Sequence, residues 1–157
     1  MFKGTYPYKI DPKGRLPVPA PFRKRLLELG AKHVVVTLLD QCLAAYPPAE
    51  WQRLEDQLNA LPAFGKQVKA LTRMLASRAV DCELDVQGRI LLPPALRSAT
   101  GLARDAVVIG VVSRFEVWAP DNWDSFVRAS ERLLDDVSLD VAWPLPGPSR
   151  PQEKPKP

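Results

Sequence analysis

The sequence contains one unit twice. Ile10-Asp11-Pro12-Lys13-Gly14-Arg15 aligns with Leu84-Asp85-Val86-Gln87-Gly88-Arg89 at an offset of 74. The alignment continues through Pro19 and Pro93, Phe22 and Leu96, Arg23 and Arg97. The offset then becomes 72, matching Val35-Val36 to Val107-Val108, Leu43 to Phe115, Tyr46 to Trp118, Pro48 to Pro120 and Trp51 to Trp123. Two copies of so long a period do not make a solenoid, whose many short units stack in series. They constrain the chain to a pseudo-symmetric domain whose halves complete one another's core.

Each copy carries the same local signals. Residues 5–10 and 80–84 read as short strands ending in Asp-Pro-Lys-Gly and Asp-Val-Gln-Gly turns. In such a turn Asp hydrogen-bonds the backbone two residues on, and Gly accepts a positive φ. Further strands are expected at 15–18 and 89–92, and short proline-led helices at 20–29 and 94–99. Phe22, Leu26 and Leu29, spaced i, i+4, i+7, predict a buried face on the first helix. The β-branched runs at 33–38 and 106–111 pair with 42–46 and 115–118 as strand candidates. Helices are expected after Pro48 and Pro120, with stripes Trp51, Leu54, Leu58, Leu61 and Trp123, Phe126, Val127, Leu133, Leu134. One more is expected at 65–78, with Val68, Leu71 and Leu75 on one side. The division is therefore a first repeat at 1–60, a linking helix at 61–78, a second repeat at 79–136 and a tail at 137–157. Six of the 14 residues from Pro144 are proline, which predicts a disordered or polyproline segment.

The chemistry is sparse. No apolar run reaches the ~18 to 20 residues that span a bilayer, and Met-Phe-Lys-Gly-Thr lacks an apolar signal region. A cytoplasmic chain without membrane contact is expected. His33 is the single histidine, beside Val34-Val35-Val36, and reads as a packed or rim residue. Cys42 and Cys82 are isolated and read as small hydrophobes. There is no phosphate loop, paired-carboxylate motif or metal-ligand spacing, so no enzymatic activity, cofactor or metal is expected. The net charge of +4 conceals a split. Residues 1–78 hold 13 Lys/Arg and 6 Asp/Glu (+7), and residues 79–157 hold 9 and 12 (−3). A basic segment at one end of a chain is an electrostatic footprint suited to nucleic acid, or a solvated face.

The two Asp-x-x-Gly-Arg turns, the opening Met-Phe-Lys-Gly, Cys-Leu-x-x-Tyr-Pro-x-x-x-Trp at 42–51 and Gly88-Arg89-Ile90-Leu91-Leu92-Pro93-Pro94 resemble the MraZ family of bacterial transcriptional regulators, over about residues 1–130. The resemblance implies a mainly β fold with helices (α+β), a pseudo-two-fold double-split β-barrel of the AbrB/MazE type. It implies rings of many subunits on the nucleoid, binding direct repeats of double-stranded DNA upstream of their own gene in the division and cell-wall gene cluster.

Physical chemistry then assigns expectations to the motif residues. Arg15 and Arg89 can grip a phosphate or pair with a guanine edge, and Lys13 suits phosphate. Gly14 and Gly88 let backbone N–H groups approach closely. Gln87 replaces the lysine of the first copy, to read a base or to support the turn. Lys9 and Arg23 complete the candidate DNA-binding set, with Lys3, Lys24 and Arg25 adding positive field. Asp11 and Asp85 are expected to shape the turns. The recurrence of Arg23 as Arg97 fits a structural ion pair as well as a phosphate contact. The alternative is an antitoxin-like protein-binding module on the same scaffold.

Overall fold

The computed structural model describes residues 1–62 and 64–135, so the tail expected at 137–157 lies outside the described residues. The chain divides into two units, Met1–Asp124 and Ser125–Pro157. The first repeat comprises β1 (Thr5–Lys9), β2 (Arg15–Pro17), α1 (Ala20–Glu28), β3 (His33–Leu39), β4 (Cys42–Tyr46) and α2 (Pro48–Ala60). After α3 (Lys66–Ala76) come β5 (Val80–Glu83), β6 (Arg89–Leu91), α4 (Pro94–Thr100), β7 (Asp105–Val111), β8 (Arg114–Trp118) and α5 (Pro120–Asp135). Proline sets the entry of α1, α2, α4 and α5, where a fixed φ and a missing N–H cost nothing.

The two repeats are interlocked. The six-stranded antiparallel sheet runs β1-β7-β8-β4-β3-β5, and β2 and β6 form a separate two-stranded ribbon. Each repeat thus lends its first strand to the other: β1 lies on β7, and β5 on β3. In the ribbon Leu16 faces Ile90, and where β4 meets β8 Ala44 faces Glu116. These are repeat-equivalent residues facing each other, so the pseudo-two-fold axis runs through both pairs.

The sheet does not close into the expected barrel. Among the described residues β1 and β5 are its two edges, each paired on one side only, and the ribbon stays apart from it. Pro7 lies in β1 and has no N–H to offer a further strand.

The main core lies between the inner sheet face (Val34, Val36, Leu43, Ala45, Val108, Phe115, Val117), the ribbon's Leu16 and Ile90, and Phe22, Leu26 and Leu96 from α1 and α4. The ring of Phe22 packs against Phe2, Tyr6 and Phe115 at centroid distances of 5.2, 5.3 and 5.5 Å. Leu29 departs from expectation. It caps α1 and is exposed, because the chain turns away at Gly30 with φ 69°. The second sheet face is thinner. Thr37 Oγ1 donates to the Leu75 carbonyl of α3 at 2.7 Å, and Trp51 of α2 packs on Tyr46. Of the expected helix stripes only Leu75 is fully buried there; Trp51, Leu54, Leu58 and Val68 are half-buried, and Leu61 and Leu71 are exposed. In the second unit Leu133 and Leu134 are exposed.

Candidate nucleic-acid interface

Both Asp-x-x-Gly-Arg segments fold into the same turn. Asp11 Oδ1 accepts hydrogen bonds from the backbone N–H of Lys13 and of Arg15, both at 2.9 Å. Asp85 Oδ1 does the same with Gln87 and Arg89, again at 2.9 Å. The Gly14 N–H donates to the Asp11 carbonyl, and the Gly88 N–H to the Asp85 carbonyl, each at 2.9 Å. Gly14 and Gly88 adopt φ of 88° and 73°, which L side chains rarely do. In each turn one Asp oxygen thus bridges two backbone N–H groups.

The arginine pairs with its own turn. Arg15 Nε donates to Asp11 Oδ2 at 2.6 Å, and Arg89 Nε to Asp85 Oδ2 at 3.0 Å. Arg89 Nη1 also lies 3.9 Å from Asp11 Oδ2, so the two turns share one charged cluster. The Arg15 amide, most of all, holds the Asp11 carboxyl below its usual range, and the Arg89 amide does so for Asp85. Both carboxylates stay ionised and fix the Nε edge of each guanidinium. The Nη ends belong to side chains that keep 35% and 25% of their surface open.

The ribbon sets the direction. Leu16 and Ile90 point into the core, so their neighbours Arg15, Pro17, Arg89 and Leu91 face outward. Arg15 sits opposite Leu91, and Arg89 opposite Pro17. Lys13 and Gln87 are exposed on the turns. The ribbon therefore carries Arg15 and Arg89 on its outer face, with the Lys13–Gly14 tip at its Leu92 end and the Gln87–Gly88 tip at its Val18 end. Lys9 lies at the end of the β1 edge strand, paired with Asp105 at 3.4 Å across an exposed contact.

Arg23 reaches from the first repeat to the turn of the second. It lies against Gly88, and its Nη1 donates to the Gln87 carbonyl at 3.4 Å. Arg97 is its counterpart, with the guanidinium against Gly14 and Nε donating to the Leu92 carbonyl at 3.2 Å. Neither arginine forms an ion pair among the described residues. Sequence reasoning placed Arg97 outside the site; its signal was the Arg23/Arg97 recurrence. The outward position of Leu91 was not legible either, since an apolar strand residue reads as core until its partner in the ribbon is known.

Cys42 and Cys82 are buried, and burial pushes the Cys82 thiol up to about 11 and the Cys42 thiol further. No described helix is long and apolar enough to cross a membrane.

Comparison with known proteins converges with this geometry. The family described as "MraZ protein, putative antitoxin-like" matches residues 1–74 and again 75–138, which divides the chain between the two repeats. The chain is 44% identical over 138 residues to the "Transcriptional regulator MraZ" of Ligilactobacillus salivarius (strain UCC118), covering 88% of this chain and 94% of that protein. It is 48% identical over 138 residues to the protein of the same name from Pelotomaculum thermopropionicum (strain DSM 13744 / JCM 10971 / SI), covering 88% and 93%. With the motif, its duplication and this similarity over most of its length, the chain belongs to the MraZ family.

Proposed function

We propose that the chain is a sequence-specific regulator of transcription that binds double-stranded DNA, with the paired turns as its reading face. The observation that carries this is the β2–β6 ribbon between the two Asp-x-x-Gly-Arg turns, which carries both arginines fixed at Nε and facing outward. A guanidinium already held in place loses little rotamer freedom on binding, so its Nη donors can grip a phosphate or a guanine edge at low entropic cost. The names of the two relatives support the regulatory reading. Lys13 supplies a phosphate contact on the first turn, while Gln87 makes the second turn the lighter grip. Lys9 adds field from the sheet edge.

One subunit offers few phosphate contacts. Tight binding then needs several subunits on spaced direct repeats upstream of the chain's own gene, at the division and cell-wall gene cluster, where linkage can multiply affinity by ~10² to 10⁴. A ring of many subunits in the cytoplasm, on the nucleoid, meets that need. Footprinting on the upstream region tests binding, repeat spacing and subunit number together. Arg15→Ala is expected to weaken binding about 5- to 150-fold, the worth of one bidentate contact. Unchanged binding would remove Arg15 from the interface.

The family description also favours a second reading, an antitoxin-like module that binds a protein. A stoichiometric small partner that co-purifies with the chain, and no protected DNA, would establish it instead.

A further inference from the structure

We propose that Arg23 and Arg97 are positioning residues that act across the repeats: each helix arginine fixes the turn of the opposite repeat. Arg23 belongs to the first repeat, yet it lies on Gly88 and donates to the Gln87 carbonyl of the second. Arg97 belongs to the second repeat, yet its guanidinium lies on Gly14 of the first. A Cβ at Gly14 would stand 2.9 Å from the Arg97 Cζ and Nη2, and a Cβ at Gly88 would meet the Arg23 Cδ. The glycine in Asp-x-x-Gly-Arg thus supplies the positive φ and leaves open the room in which the arginine lies.

The latch is tied into the backbone. The Leu92 N–H donates to the Gly14 carbonyl at 2.9 Å, and the Leu92 carbonyl accepts from Arg97 Nε at 3.2 Å. On the other side the Val18 N–H donates to the Gly88 carbonyl at 3.0 Å. Each turn is therefore held by its own Asp from within and by the other repeat's strand and arginine from outside. A planar guanidinium suits this task, since it covers a peptide face while still donating in its plane; a lysine ammonium cannot do both. The function of the latch in DNA binding rests on the reading proposed above. On that reading neither turn presents its Lys13–Arg15 or Gln87–Arg89 set correctly without the other repeat, and the two arginines set specificity without touching the duplex.

The test uses the full chain and keeps the charge. Arg97→Lys is expected to speed amide exchange at Lys13 and Arg15 about tenfold and to leave Gln87 and Arg89 unchanged; Arg23→Lys should do the reverse. Acceleration in both turns alike, in the residue's own repeat, or in neither overturns the latch. Should a variant fail to fold, the unaltered chain still decides. The Nε–H of Arg97 should exchange more slowly than that of the exposed Arg53, and equal rates overturn the proposal. On DNA spanning the upstream region of its own gene, Arg97→Lys should weaken binding about tenfold. The slope of log affinity against log salt should stay unchanged, whereas Lys13→Ala should reduce it by about 0.9. A slope reduced by Arg97→Ala would make Arg97 a phosphate contact and overturn its positioning role. If the unaltered chain binds no such DNA, the DNA reading fails, and the exchange pattern alone judges the latch.

Discussion

At the scale of single residues the turn carboxylates govern the site. Each is held by two backbone N–H groups and the arginine of its own turn, and each is lowered below its ordinary value. A lowered folded-state value means that the stabilisation is complete above the unfolded carboxylate value of about 3.9. It is lost as pH falls from there through the folded value. The turns should therefore stay intact from neutral pH down to about 4 and loosen only below it. A carboxyl ¹³C titration of Asp11 and Asp85 checks this; ordinary midpoints for both would contradict it. The spacing of Asp, Gly and Arg made this turn legible in the sequence. It did not show how far Arg15 and Arg89 would remain open, because that depends on the partner strand across the ribbon.

At the scale of elements the hairpins carry an asymmetry that the duplication hides. The β3–β4 turn uses Asp40 at φ 53°, a residue type that tolerates this region. The β7–β8 turn uses Val112 at φ 63°, where a β-branched side chain is strained. What holds Val112 there is the N-terminal segment. The Phe2 N–H donates to the Val112 carbonyl at 2.9 Å, and the Val112 N–H returns a bond to Phe2 at 3.0 Å. Gly110 lets that segment pass, since a Cβ there would strike the backbone of Phe2 and Lys3. Val112 is exposed, so Val112→Asn should stabilise the fold by up to about 1 kcal/mol. Gly110→Ala should destabilise it by about 1 to 3 kcal/mol or more, because backbone cannot give way as a side chain can. Denaturant midpoints check both signs. The strands themselves were legible from their β-branched runs. The crossing at Gly110 was not, since it joins residues far apart in the chain.

At the scale of the molecule the interlock decides stability. With β1 on β7 and β5 on β3, neither repeat keeps its sheet if the other unfolds. Unfolding of residues 1–124 should therefore be a single transition, with Trp51 and Trp118 fluorescence lost together; two separate midpoints would show independent halves. The sequence by itself determined the duplication, the order and type of the elements and the turn motif, because these rest on local spacing and on φ preferences. It also determined the charge split between the halves, which is composition alone. Only the tertiary structure decided that the repeats exchange strands, that the sheet stays open at β1 and β5, and that Leu29, Leu61 and Leu71 remain outside the core. It alone placed Arg23 and Arg97 on each other's turns. Those outcomes depend on which distant segments pack together, and local periodicity carries no record of a partner some 70 residues away.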